Sequence, residues 1–480
     1  MLKIENEIPI RIEPNENPFL NGLFAPVSRE ITAEHLEVEG EIPRDLFGVY
    51  LRNGPNPIFN PRGRYHWFDG DGMVHALEFR EGRATYRNRW IRTRGFLAEQ
   101  AAGRALWPGL MDPPDPNAPR GAGSDGWLKD TANTDVLYHR NQALALFYQC
   151  GMPYALDPRT LETRGVEDFH GALRRSMSAH AKVDPVTGEL LFFDYATAEP
   201  FLTYNVVNAD GALTHHVPID LPGPRLPHDM AFTENHSILM DLPLFWDPNL
   251  LARKVHKVTF HPELPSRFAI LPRHGTAADV RWFEASPCYI YHVVNAWEDG
   301  DEIAMDACRV VDPAPSSARG AGELARMRAF LRLEARLWRW RFNLKTGATR
   351  EQQLDDLKTE WPTVNRHRMG RRARFAYNSR VPHYEGLVKY DLVNNSTESF
   401  MFGPGRTANE LPFAPRIGAT TEDDGYIVAF VADANRPDTG EAIVLDAREI
   451  ARGPIARITI PQRVPIGFHS TWIPGGELPR

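Results

Sequence analysis

Four of the 17 histidines sit in short apolar runs of strand-like composition. They are His180 in RSMSAHAKVDP, His228 in PRLPHDMAF, His292 in YIYHVVNAWEDG and His469 in VPIGFHSTW. A neutral imidazole offers a nitrogen lone pair to zinc, copper, iron or nickel alike, so residue type leaves the metal open. The four are separated by 48, 64 and 177 residues, which excludes a pair one helical turn apart. Taken singly, each is more often a hydrogen-bonded core or turn histidine than a ligand. Only a fold that brings distant strands to one axis could join them.

The elements around them suit such a fold. Turn residues followed by a short apolar run recur along the chain: DPVTG then ELLFFDY (184–195), TENH then SILMDLP (233–243), EDDG then YIVAFVAD (422–433). ATYRNRWI (84–91), YIYHVVNAW (289–297) and RLWRWRFNL (336–344) read the same way, rich in β-branched and aromatic residues. In the last of these, Leu337, Arg339 and Arg341 alternate with Trp338, Trp340 and Phe342, the period of a strand. Many short strands without a strand–helix–strand rhythm predict an all-β chain, closed or radially repeated. Helical spacing is confined to 95–107 and 322–334. Proline clusters at 112–119 and 312–315 read as surface excursions, so the chain is expected to form one domain over 1–480, with an N-terminal arm of about 30 residues.

The 480 residues carry 55 basic and 62 acidic side chains, a net charge of −7, which disfavours nucleic acid as the partner. Pro 40 and Gly 36 leave little room for long helices. Three cysteines, Cys150, Cys288 and Cys308, are too few for a disulfide framework, and the N-terminus lacks the pattern of a signal peptide. A cytoplasmic protein is expected. Gly121–Gly126 and Gly320–Ala325 match the dinucleotide fingerprint in spacing, but neither follows a strand as that site requires. There is no P-loop, HExxH, GxSxG or kinase set.

The blocks around the histidines carry more than their spacing. LRNGPNP (51–57), HWFDGDGMVHAL (66–77), YRNRWIRT (86–93), TANTDVLYH (131–139), SAHAKVDPVTGELLFFDY (178–195), LPHDMAFTENHSILMD (226–241), HVVNAWEDGDEI (292–303), ELPFAPR (410–416) and VPIGFHSTW (464–472) resemble, in order, segments of the carotenoid cleavage oxygenase family. That resemblance implies a seven-bladed β-propeller with loop and helix excursions capping one face. It implies one Fe(II) per subunit on the axis, held by His180, His228, His292 and His469, which react an alkene with O₂.

The resemblance further implies carboxylates that accept the distal N–H of ligand histidines. Glu360 and Glu410 stand at two such places, and Gln149 stands at the third, where the family commonly has glutamate. An amide oxygen can still accept an N–H, but it carries no charge. Stilbene-cleaving members grip a phenol oxygen with a lysine and a tyrosine; those places read Tyr148 and Phe96 here. The loss of the lysine favours a carotenoid or apocarotenoid substrate, with a stilbene, phenylpropenoid or vinylphenol as the alternative. A metal-binding scaffold or zinc hydrolase is the reading from another class. The segment 95–114, with Trp107, Leu110 and Met111, is expected to form an apolar collar that meets a membrane surface.

Overall fold

The computed structural model describes residues 1–123, 126–253, 257–313 and 332–479. Among them the strands group into seven antiparallel blades, the all-β propeller that the sequence implied. In the third blade, Lys182–Val183, Leu190–Tyr195, Leu202–Val207 and Leu213–Ile219 pair in simple sequence order. Leu190–Tyr195 is buried along its whole length because both of its faces are covered. That explains a strand without polar alternation. RLWRWRFNL, by contrast, keeps its period: Trp340 and Phe342 are buried against the neighbouring blade, while Leu337 is buried on the opposite face.

The strand nearest the axis differs from blade to blade, and most of these strands touch a neighbour around the ring. They are Ser470–Pro474, Asp135–His139, Lys182–Val183, Ala231–Phe232, Tyr289–Asp299, the second half of Thr349–Thr363, and Phe413–Pro415. Thr349–Thr363 serves two blades, pairing with Arg336–Asn343 up to Lys358 and with Phe375–Arg380 from Thr359 onward.

The two ends of the chain interlock to close the ring. Ser470–Pro474 pairs with Gly48–Pro55 to complete the first blade, and Val38–Gly40 pairs with Ala456–Ile460 to extend the last. Of the N-terminal arm, Leu2–Glu7 and Arg29–Ala33 add to the outer edge of the first blade. Apolar side chains fill the spaces between blades; Leu77 and Tyr86 of the first, for example, meet Val428 and Val444 of the last. The ring is therefore held by strand pairing and apolar packing, with no part for a metal.

The helix expected at 95–107 is observed as Arg94–Ala102, capped by the Thr93 hydroxyl and ended by Gly103 in the left-handed conformation, φ 67°. The helix expected at 322–334, and the second glycine-rich match, lie mainly outside the described residues. No helix among the described residues is long and apolar enough to cross a membrane.

Candidate metal centre

Each of the four histidines sits on, or one to three residues before, the innermost strand of its own blade. Their rings converge on the axis. Ring centroids of His180 lie 4.8 Å from His228, 5.1 Å from His292 and 4.4 Å from His469; His292 lies 5.2 Å from His228 and 4.9 Å from His469. The ligand atoms of His180, His228 and His292 all fall within 4.8 Å of one another. All four residues are at most 5% exposed.

Local backbone explains this placement. His180 has φ +67°, a left-handed conformation that a residue with a Cβ adopts only when its surroundings enforce it. Its amide donates to Asp135 Oδ2 at 2.9 Å. Before His469, Gly467 lies so close to Gly54 that a Cβ on Gly54 would be 2.6 Å from the Gly467 Cα. The glycines thus let the two inner segments touch, and His469 N–H then donates to the Thr134 carbonyl.

Glu360 and Glu410 each reach one of the rings. Glu360, fully buried, accepts from His292 Nδ1 at 2.5 Å and from the Trp361 amide at 2.5 Å. Glu410 accepts from His469 Nδ1 at 3.1 Å, from the Ser470 hydroxyl at 3.0 Å and from the Ser470 amide. Burial lowers His180 and His228 well below the ordinary imidazole value and His292 to about 3, so these rings are neutral near neutral pH. For His469 burial acts the same way, but the charge and hydrogen bond of Glu410 outweigh it and raise the ring. Burial raises Glu360 well above the carboxylate range, a shift that a bound cation would reverse, so its charge would balance a metal once one is held.

The donor set fits a transition metal. His180 Nε2, His228 Nδ1 and His292 Nε2 are buried nitrogens with no hydrogen-bond partner. Such orphans are uncommon and need an explanation. A cation bound among neutral imidazoles would supply one.

Three expectations need correction. Gln149 makes no hydrogen bond to any of the four rings. After Gln142–Leu146 the chain buries Tyr148 and Cys150 and leaves Gln149 half-buried between them. The Tyr148 ring, not Gln149, lies against His228, with centroids 4.9 Å apart. Phe96 is turned by its helix into a core with Ile58, Phe59, Met73 and Trp90, a cluster that contains none of the histidines. Trp107 is 6% exposed, its Nε1 donating to the Pro119 carbonyl, and Leu110 is half-buried; Leu97 is the exposed large apolar side chain of 95–114 among the described residues.

The sequence reading missed two carboxylates. Asp135 binds the His180 amide and, through Oδ1, the Val136 amide at 2.7 Å. Asp229 binds the amides of Met230 at 2.7 Å and Val293 at 2.8 Å and pairs with Lys182 at 2.7 Å. Both stood in the quoted blocks, Asp229 directly after a histidine. It also missed the apolar roof over the centre: Phe68 stacks on Phe468 at 4.5 Å and lies 5.0 Å from Tyr148, while Trp361 sits 4.9 Å from His292 and 4.6 Å from His469.

With this geometry in hand, comparison with known proteins is informative. Residues 24–474 match the family described as retinal pigment epithelial membrane protein, RPE65. The chain is 35% identical to carotenoid 9,10(9',10')-cleavage dioxygenase 1 of Pisum sativum, over 96% of this chain and 90% of the relative. It is 32% identical to isoeugenol monooxygenase of Pseudomonas nitroreducens, over 97% and 99%. The crystal structure of Pseudomonas brassicacearum lignostilbene dioxygenase superposes with a TM-score of 0.85 at 30% identity, covering 98% of this chain and all of that one. The chain belongs to the RPE65, or carotenoid cleavage oxygenase, family of oxidoreductases.

Proposed function

We propose that this protein is a non-haem Fe(II) dioxygenase that cleaves a C=C bond with O₂ to give two carbonyl products. The observation that carries this reading is the set of four converging histidines, three with buried unpaired ring nitrogens, beneath an apolar roof. Its ligands would be His180, His228, His292 and His469. Fe(II) binds weakly for a divalent transition metal, so four preplaced nitrogens favour its retention. When bound, the iron supplies the activation of O₂. Cleavage of an alkene by one O₂ into two carbonyls is redox-balanced, so no reductant is required.

The remaining work falls to the chain. Glu360 and Glu410 fix the rings of His292 and His469 and offset the metal's charge. Phe68, Tyr148, Trp361 and Phe468 keep water from the centre and offer π faces to a conjugated substrate. No side chain has to give or take a proton. A carotenoid or apocarotenoid is the favoured substrate, in keeping with the apolar roof. A stilbene or phenylpropenoid is the second reading, favoured by the likeness in fold to the lignostilbene dioxygenase and in sequence to the isoeugenol monooxygenase.

The test is aerobic incubation with carotenoids, apocarotenals and 4-hydroxyphenyl alkenes, with products identified by mass and iron measured on protein purified without chelators. One iron per chain and paired aldehydes, each carrying one atom from labelled O₂, are expected. Stoichiometric zinc with no cleavage of any alkene would favour the hydrolase or scaffold reading.

Asp135 offers a second check on the ligand set. Asp135→Ala leaves the His180 amide unpaired at a strained backbone position. It should weaken metal binding roughly 10–100-fold, as loss of a ligand's supporting partner commonly does. Asp135→Asn keeps one acceptor oxygen for the His180 amide but sets its NH2 against the Val136 amide, and should recover part of that loss. Titration of Co(II) into metal-free protein measures both. An alanine variant that binds as tightly as the wild type would remove Asp135 from this role.

A further inference from the structure

Asp229 gathers donors from three segments that carry ligand histidines. Its Oδ1 accepts the Met230 amide of its own segment at 2.7 Å and pairs with Lys182 Nζ of the third blade at 2.7 Å. Its Oδ2 accepts the Val293 amide of the strand Tyr289–Asp299 at 2.8 Å. Each donor stands beside a histidine: Lys182 two residues after His180, Met230 two after His228, and Val293 one after His292. A single carboxylate, its side chain 1% exposed, thus fastens three of the four ligand segments to one another.

Such a tie brings a charge with it. Glu360 and Glu410 hold rings at the centre, and Asp135 adds a third carboxylate at the His180 amide. A fourth negative charge would favour a trivalent ion over a divalent one, because the attraction scales with the charge of the ion. Lys182 supplies the opposite sign. Two residues span at most about 7 Å, so its backbone stays close to His180, and its ammonium is fixed against Asp229, the residue after His228. Behind burial and the neighbouring rings, the Lys182 charge lowers His180, His228 and His292 alike. Arg52, a buried cation of the first blade, is turned into the seam with the last blade, where it donates to the Pro465 carbonyl and lies over the Phe430 ring.

In alkene cleavage that balance has a purpose. Cleavage by one O₂ is redox-balanced, so the iron must be ferrous at the start and at the end of each turnover. One electron passing from Fe(II) to O₂ leaves Fe(III) and superoxide, a loss that the balanced cleavage does not repair. We propose that Lys182 is the charge that keeps bound iron ferrous, cancelling the carboxylate of Asp229 while leaving its tie between the three segments intact. This rests on the iron-dependent reading and adds to it a control of the metal's oxidation state. Net charge near a metal is one of the protein's levers on its potential, and here the lever is an ion pair built into the ligand segments.

The test uses iron-loaded wild type, Lys182→Met, Lys182→Arg and Asp229→Asn, prepared without O₂ and without substrate. The midpoint of the Fe(III)/Fe(II) couple is followed by the electron paramagnetic resonance signal of Fe(III), with melting of the metal-free forms as the check on folding. Lys182→Met should lower the midpoint by about 60 mV, a tenfold shift toward Fe(III) for a one-electron couple. Asp229→Asn should raise it, and Lys182→Arg, which keeps the charge, should stay at the wild-type value. Lys182→Gln takes the place of Lys182→Met if that variant does not fold, since its amide can still donate to Asp229. Loosened segments alone would move Lys182→Met and Asp229→Asn in the same direction. Shifts of one sign, or an unmoved midpoint in Lys182→Met, would therefore overturn the proposal. Opposite shifts in a protein that cleaves no alkene in air would uphold the role of Lys182 and sink the cleavage reading. A wild type that takes up no iron would overturn both.

Discussion

Alanine at any one of His180, His228, His292 or His469 is expected to abolish stoichiometric metal and alkene cleavage while the propeller still folds. The ring is closed by pairing of Ser470–Pro474 with Gly48–Pro55 and of Val38–Gly40 with Ala456–Ile460, and neither closure involves an imidazole. The four variants should nevertheless separate into two pairs when metal-free protein is melted. His180 and His228 bury ring nitrogens without partners, so their loss removes an unsatisfied polar atom and should leave the melting temperature level or raise it. His292 and His469 are hydrogen-bonded to Glu360 and Glu410, so their loss strands a buried carboxylate and should lower it. Metal analysis, turnover and melting of the four metal-free variants provide the check. Full metal content in any single variant would remove that histidine from the ligand set, and four equal melting shifts would contradict the hydrogen-bond assignment.

How far the site could be read in advance depended on whether its residues belong to a local pattern. The histidines and Glu410 lie inside ordered blocks, so their convergence was legible once those blocks were taken together; Glu360 lies outside them and was named from the resemblance alone. Asp135 and Asp229 lay in the same blocks and still passed unnoticed, because they act on backbone amides of adjacent blades, and no local spacing announces that contact. Gln149 went astray for a related reason. Which of Tyr148 and Gln149 faces His228 depends on how the chain turns as it leaves Gln142–Leu146, where a shift of one residue exchanges inside for outside. Phe96 and Trp107 were misplaced because aromatic residues serve a core and a binding surface equally well, and tertiary packing decides between them. The strand period was dependable throughout RLWRWRFNL, and uninformative in Leu190–Tyr195, where both faces are covered. Ring closure joins residues more than 400 positions apart, so nothing local could have indicated it.

Two of the residues held in the left-handed backbone region lie at the centre. His180 at φ +67° and Trp361 at φ +57° both place a ring beside the other histidines, in conformations a β-carbon disfavours. In each case a carboxylate from the inner segments takes the amide: Asp135 for His180 and Glu360 for Trp361. Strain at the site is thus held by the same acidic groups that surround the proposed metal, which ties metal retention to backbone shape as well as to charge.

Glu360 is where the two effects can be pulled apart. Its carboxylate is fully buried and takes two donors, His292 Nδ1 and the Trp361 amide. Glu360→Ala leaves both donors unsatisfied beside a new cavity, so a loss of roughly 2–4 kcal/mol of stability is expected, together with release of the His292 ring. Glu360→Gln keeps an oxygen acceptor and the volume but removes the charge. It should melt within a few degrees of the wild type, yet bind Fe(II) or Co(II) roughly 10–100-fold more weakly, the scale on which ligand-supporting groups commonly act. If the carboxylate served backbone shape alone, the glutamine variant would bind metal as the wild type does, and only the alanine variant would be impaired. Metal titration and melting of the metal-free forms of both variants decide between these outcomes. Weak metal binding with near-normal melting in Glu360→Gln would assign to Glu360 a share of the metal's charge balance that Gln149, lying away from the rings, does not supply.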